Sequence, residues 1–171
     1  MTENWDKVIL VDENDHEIGE KDKLEAHIDG NLHRAFSIFI FNSKGEILLQ
    51  KRAEAKYHSP GLWTNTCCSH PQPNKSMQDC LDQRLEIEMG MACEMQPWFT
   101  FKYKAKFENG LTEHEFDHVF KGFSDEPPIP NPDEVADYQY ISVEKLKLEL
   151  TENTKKYTAW LKLIIDRITA P

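Results

Sequence analysis

The sequence predicts an α+β fold, and three observations carry that prediction. Phe99, Phe101, Tyr103, Ala105 and Phe107 alternate with Lys102, Lys104 and Lys106, the period-two signature of a half-buried strand. Residues 76–91 instead space Met77, Cys80, Leu81, Leu85 and Met89 as one apolar stripe of a helix. Strands and three helices then follow one another in mixed order, the pattern of an α+β layer structure. With 171 residues and 39% apolar content the chain has the size of one domain with a full core, so a single domain over residues 1–171 is expected.

Taken in order, Val8-Ile9-Leu10-Val11 is a short apolar strand closed by the turn cluster Asp12-Glu13-Asn14-Asp15. Residues 21–27 suit one or two helical turns, and Asp29-Gly30-Asn31 forms a loop. Residues 33–41 are aromatic and β-rich, Asn42-Ser43-Lys44-Gly45 turns the chain, and residues 46–52 return, which predicts a hairpin. Ser76 and Asp79 have capping-box spacing at the start of the 76–91 helix, and Gly90 ends it. Asn109-Gly110 turns the lysine-rich strand into a return strand over residues 111–120. Residues 124–133 carry four prolines and read as an ordered surface loop. A last strand is expected over 135–143, then a short helix capped by Ser142. A final helix over about 154–168 buries Tyr157, Leu161, Ile164 and Ile168, with Trp160 beside the stripe.

Composition excludes several classes. Residues 1–7 have neither a basic region nor a long apolar run, and nowhere do eighteen uncharged apolar residues occur together, so no export signal or membrane span is expected. Cysteines 67, 68, 80 and 93 make a poor disulfide framework, since two are neighbours and a third lies in a helical pattern; a reducing cytoplasm fits best. Thirty acids against twenty bases give a net charge of −10, which repels a nucleic acid backbone. An anionic ligand must therefore be small and held by local lysines, arginines or metal.

The chemistry concentrates between Gly61 and Pro71. Pro60-Gly61 turns the chain while Pro71 and Pro73 stop any regular element, so Cys68 and His70 sit on a stiff, irregular segment. A thiol two residues from an imidazole is a usable base or nucleophile if its pKa falls from about 8.5 toward neutrality. On the return strand Glu113 and Glu115 share one face, opposite His114 and His118. Two carboxylates on one buried face repel unless a cation or a proton lies between them, so a metal or a raised pKa is implied. By contrast, His114 and His118 read as packed or solvated, His16 and His58 as surface residues in turns, and Cys80 as helix core. Arg52 and Lys56, at spacing four, read in isolation as a solvated surface pair.

Pro60-Gly61-Leu62-Trp63-Thr64-Asn65-Thr66-Cys67-Cys68-Ser69-His70-Pro71, with Glu113-His114-Glu115 downstream and His27 and His33 upstream, resembles the type I isopentenyl diphosphate isomerases, which have the Nudix fold. The resemblance implies a mixed sheet sandwiched between helices. It also implies interconversion of isopentenyl and dimethylallyl diphosphate in isoprenoid biosynthesis, by protonating one end of an allylic unit and deprotonating the other. Residue by residue, it implies Cys68 as the catalytic thiol, with Cys67 at a position where the family varies, and Glu115 as the catalytic glutamate. Tyr103 matches a tyrosine that hydrogen-bonds that glutamate, and Trp160 an indole over the hydrocarbon tail. His27, His33, His70, Glu113 and Glu115 match one metal site, whose donor set suits an octahedral Mn²⁺ or Mg²⁺ or an unusual Zn²⁺. Glu88 matches the carboxylate of a second ion, Mg²⁺, bound with the diphosphate; Lys23, Arg52, Lys56, Ser69 and Arg84 match substrate contacts. The implied partner is a small-molecule diphosphate, for a cytoplasmic monomer or weak dimer that binds neither nucleic acid nor membrane. One departure is the short loop between His27 and His33.

The resemblance also bears on the 103–120 hairpin. A two-residue Asn109-Gly110 turn would set Tyr103 opposite Phe116, whereas a three-residue loop with Gly110 left-handed sets it opposite Glu115. A one-residue slip exchanges the faces of a strand, so only the second register lets the phenol reach the carboxylate, and it is the one expected. Two competing readings share parts of the pattern. A Nudix hydrolase needs a glutamate-rich helix, yet aligned on Gly90 this chain has Ser69, Lys75, Gln83, Arg84 and Ile87 at the motif positions and keeps only Glu88. A non-enzymatic metal-binding protein would leave Cys68, Trp160 and the basic residues without a task.

Overall fold

The computed structural model describes residues 5–171; residues 1–4, part of the start read as lacking an export signal, lie outside the described residues. Among the described residues one mixed sheet joins β1 (Lys7–Val11), β2 (Glu17–Asp22), β3 (His33–Phe41), β4 (Glu46–Arg52), β5 (Trp63–Thr64), β6 (Cys67–Ser69), β7 (Met95–Lys106), β8 (Thr112–Phe123) and β9 (Val135–Ser142). The α-helices are α1 (Lys23–Asp29), α2 (Met77–Met89), α3 (Val143–Glu152) and α4 (Ala159–Ile164), and none is long and apolar enough to cross a membrane.

β3 organises the sheet. β8 runs parallel along one of its edges, from Glu115 opposite His33 to Phe123 opposite Phe41. The other edge is shared: β1 meets it at His33, β6 at residues 36–38, and β4 only at Phe41. The hairpin expected over 33–52 is thus closed only beside its turn. β6 wedges between the two arms, and β4 pairs instead with β5 and β9. That wedge carries Cys68 to the middle of the sheet.

Strand alternation then sorts the core. Phe36, Ile38 and Ile40 of β3 pack with Leu48 against Cys80, Leu81, Leu85 and Met89 of α2. Phe39 and Phe41 pack with Ile47 and Leu49 against Leu146 and Leu150 of α3 and Leu161 and Ile164 of α4. Helices therefore cover both faces, the expected sandwich, and each such buried side chain contributes about 1.5–3 kcal/mol. The second face changes character along β3. At its start His33 and Ser37 hold the positions that Phe39 and Phe41 hold further on, and this polar half becomes the site.

Local rules position what surrounds it. Asp79 N–H donates to Ser76 Oγ at 3.1 Å to start α2, and Gly90 ends it at φ 60°. The four-proline loop folds back on that end, where Ile129 N–H donates to the Met89 carbonyl and Asn131 N–H to that of Glu88. At the β7–β8 turn Phe107 N–H donates to Leu111 C=O at 2.9 Å, and Gly110, at φ 85°, donates to Phe107 C=O at 3.1 Å. Tyr103 lies opposite Glu115 and Ala105 opposite Glu113, the register expected from the three-residue loop.

Beyond the opened hairpin and the short strand β6, which runs through a stretch expected to be irregular, two more elements differ from expectation. β2 reads Glu-Ile-Gly-Glu-Lys-Asp, a largely exposed strand on β1 with no apolar alternation to reveal it. The final helix is broken: a 3₁₀ turn at Thr154–Lys156 is followed by Tyr157 bridging to Trp63 and Thr158 N–H donating to the Trp63 carbonyl at 3.0 Å. Pairing with β5 overrides local helix propensity there, and α4 starts only at Ala159. Tyr157, Leu161, Ile164 and Ile168 are nevertheless all buried.

Candidate active site

A cavity of about 280 Å³ opens on the polar half of this face. Every site residue named from the sequence lines it except His27 and His33, which are fully buried beside His70.

The imidazoles point their free nitrogens at one another. His27 Nδ1 lies 2.6 Å from the Lys23 carbonyl and His33 Nδ1 lies 2.8 Å from that of Asn31. A carbonyl oxygen only accepts, so both rings carry their proton on Nδ1 and turn a bare Nε2 inward. His27 Nε2 is buried without a hydrogen-bond partner, and His33 Nε2 faces His70 Nε2 at 3.3 Å. His70 Nε2 also stands 3.0 Å from Glu115 Oε1. Ligand atoms of His27, His33, His70 and Glu115 all lie within 4.8 Å of one another, a donor set that fits a divalent cation. Glu113 converges instead with His27 and His58 in a second set of the same span.

Electrostatics follow burial. Burial pushes His70 down to about 3, against its bond to Glu115, so the ring is neutral at physiological pH. Burial and the charge of Glu115 raise the Glu113 carboxyl well above the usual range. Burial also opposes ionisation of Glu115, but the neighbouring His33 and His70 rings, with His70 Nε2 in hydrogen-bond contact, outweigh it and hold that carboxyl well below its ordinary value. Tyr103 Oη lies 2.9 Å from Glu113 Oε2 and 2.6 Å from Glu115 Oε2, at the junction of the two carboxylates. Tyr103→Phe is therefore expected to cut kcat by roughly 10- to 100-fold, because a hydrogen bond to a charged group is worth about 1.5–3 kcal/mol. A melting temperature close to wild type should accompany it; a large fall in stability at full activity would contradict the assignment.

Cys68 does not meet His70 as its sequence spacing suggested. Its thiol donates to Asn65 Oδ1 at 2.9 Å, and burial pushes it up to about 12, so it stays S–H at neutral pH. Asn65 itself was missed. Its Nδ2 donates to the carbonyls of Ile38 and Cys67, which fixes the amide so that Oδ1 receives Cys68, Thr64 and, at 3.3 Å, Trp160 Nε1. One buried amide thus sets the thiol and the indole. Its only trace in the sequence was its place inside the quoted stretch.

Cations gather at the other end. Arg52 is buried, with its guanidinium 5.5 Å from the Trp160 ring, so it is no solvated surface residue. Arg84 pairs with Glu88, which also accepts from Gln50 Nε2 at 2.8 Å. Burial pushes the Glu88 carboxyl up, but Arg84 and Lys56 overcome it and hold the group ionised. Lys56 pairs with Glu134, a second acid that the sequence reading did not single out. Lys23, Arg52, Lys56 and Arg84 thus line the cavity together with the carboxylates of Glu88 and Glu134, an arrangement that suits a diphosphate carrying its own divalent cation.

Two further corrections concern histidine and aspartate. His58 is not on the surface: it is buried, with Nε2 3.2 Å from Glu113 Oε1, and burial pushes it down to about 2. Asp117 continues the alternation of Glu113 and Glu115 yet was passed over. Its Oδ2 accepts from Ser37 Oγ at 2.7 Å, its buried Oδ1 has no partner, and burial raises it well above the usual range. His114 and His118 do face away, bonded to the Gly30 carbonyl and to Asp15, and His16 is exposed.

The class that this fold and site define is the Nudix domain, whose family model matches residues 31–161. DR0079 from Deinococcus radiodurans shares the architecture, with a TM-score of 0.78 at 18% identity over 94% of this chain and 98% of that one. Isopentenyl-diphosphate Delta-isomerase 1 of Aromatoleum aromaticum is 53% identical over 96% of this chain and 93% of its own. The Isopentenyl-diphosphate Delta-isomerase of Pectobacterium atrosepticum is 48% identical over 95% and 90%. The chain belongs to the isopentenyl-diphosphate Delta-isomerase family of Nudix proteins.

Proposed function

We propose that the chain interconverts isopentenyl and dimethylallyl diphosphate, with Cys68 and Glu115 as the proton-transfer pair. The observation that carries this reading is topological: Cys68 enters the cavity from β6 on one edge of β3, and Glu115 from β8 on the other. A substrate between them meets an S–H and a carboxyl group on different sides, as allylic transposition requires. Protonation of the terminal alkene carbon forms one C–H bond and leaves a tertiary cation. Loss of a proton from the adjacent methylene breaks another C–H bond and sets the double bond in its new place. The reaction is reversible, so the two groups exchange acid and base roles with its direction.

The remaining residues place the substrate. Lys23, Arg52, Lys56, Ser69 and Arg84 hold the diphosphate, and Glu88 receives the Mg²⁺ that accompanies it. His27, His33, His70, Glu113 and Glu115 would hold Mn²⁺ or Zn²⁺, whose positive charge would set the orientation and proton affinity of Glu115. Trp160 offers its indole to the cation, worth about 0.5–2 kcal/mol, against about 8 kcal/mol that even a modest enzyme must supply. Placement of the acid and base therefore does most of the catalysis. Hydrolysis has weaker support, because Glu88 is the one acid of α2 at a hydrolase motif position and Arg84 is locked onto it. The accompanying reading is a cytoplasmic protein, which four free cysteines support, acting as a monomer or weak dimer.

Incubation with isopentenyl diphosphate and Mg²⁺, followed by product analysis, tests the reading: dimethylallyl product supports it and released phosphate overturns it. In D₂O the new methyl group is expected to carry deuterium, because the added proton comes from a side chain that exchanges with solvent. Product without deuterium would mean an internal hydrogen shift and would sink the two-residue scheme.

A further inference from the structure

His58 is buried against the ligand cluster yet takes no part in the scheme above. Its Nε2 stands 3.2 Å from Glu113 Oε1. Its ring stacks on Phe107 with centroids 5.1 Å apart and an 11° interplanar angle, and meets Trp160 edge-on at 5.9 Å. With His27 and Glu113 it also presents converging ligand atoms.

Ligand and donor are the two roles open to such a ring, and counting protons and lone pairs decides between them. His27 spends Nδ1 on the Lys23 carbonyl, so it has one lone pair, at Nε2, and serves one ion. The set with His33, His70 and Glu115 offers that ion more ligands than the set with His58 and Glu113. Glu113, meanwhile, is short of a donor. Tyr103 has one O–H for two carboxylates and lies nearer to Glu115. His58 Nδ1 faces Ser59 Oγ at 3.5 Å, beyond good hydrogen-bond length. With an ion bound beside it Glu113 is a carboxylate, and the ring proton is then better placed on Nε2, where that carboxylate accepts it.

We propose that His58 is a positioning residue whose Nε2–H holds Glu113 in orientation toward the ion bound by His27, His33, His70 and Glu115. The inference rests on the metal site proposed above. Outer-shell donors of this kind matter because a ligating carboxylate that can rotate must be ordered each time the ion binds; losing one typically costs 10–100-fold in metal affinity.

The test compares wild type, His58→Gln and His58→Leu, each also in a Glu113→Ala background. Zn²⁺ is titrated against a chromophoric chelator, kcat and KM are measured on the loaded single variants, and folding is checked by circular dichroism. Gln places an amide N–H near the position of Nε2, whereas Leu fills space without a donor. His58→Leu is expected to weaken Zn²⁺ binding about 10–100-fold and to lower kcat with KM unchanged, and His58→Gln to stay within about threefold of wild type. In the Glu113→Ala background the His58 variants should bind Zn²⁺ alike. Wild-type Zn²⁺ affinity in His58→Leu would overturn the inference, as would equal loss in His58→Gln, which would make the imidazole a direct ligand. Should His58→Leu not fold, His58→Met, which also fills space without a donor, takes its place in both backgrounds with the same expected loss. Failure of the wild type to bind Zn²⁺ would instead bring down the metal-site reading beneath it.

Discussion

Replacing Cys68 with alanine is expected to lower kcat by roughly 10²–10⁴-fold, the range for losing a positioned proton-transfer group, whereas Cys67→Ala keeps most of the activity. Neighbours on a strand face opposite sides, and β6 applies that rule to its two thiols. Cys67 is fully buried in the α2 core, while Cys68 lines the cavity with its S–H on Asn65. The Cys67 variant should therefore lose stability, on the order of 1 kcal/mol, read as a shift of the urea midpoint. Steady-state kinetics on folded protein separate the two: an equal loss of turnover in both variants would remove the assignment of Cys68.

The contrast between these thiols shows what the sequence discloses and what it withholds. Alternation places Glu113 and Glu115 on one face from local pattern alone, because each strand carries its own period, whereas Asn109-Gly110 allows two registers and the family resemblance selects the one that sets Tyr103 opposite Glu115. The α2 boundaries were equally legible, since cap residues act within one turn. What stayed hidden depends on distant partners. His58 is buried only because Phe107 and Trp160 arrive from other parts of the chain, and Asn65 matters only because Ile38 and Trp160 meet it in space. The opened β3–β4 hairpin is similar: β6 competes for the same backbone edge, and nothing local to residues 33–52 announces it.

Stripping the metal is expected to abolish turnover and to destabilise the fold together. Without a cation the cluster leaves His27 Nε2 without a partner and keeps Glu113 and Glu115 buried side by side. An unsatisfied buried polar atom alone costs about 1–3 kcal/mol. A bound ion relieves both conflicts, and it binds only the folded chain, where residues from α1, β3, β8 and the segment after β6 converge. At a free concentration a thousandfold above Kd, that linkage contributes about 4 kcal/mol, which for a chain of this length is roughly 8–16 °C in Tm. Dialysis against a strong chelator, then thermal melts and isopentenyl diphosphate assays with Zn²⁺ or Mn²⁺ restored singly, measures both effects. His27→Ala, lacking the shared Nε2, should melt at nearly the same temperature with and without chelator. A chelated wild type with undiminished Tm and turnover would refute a metal at this cluster.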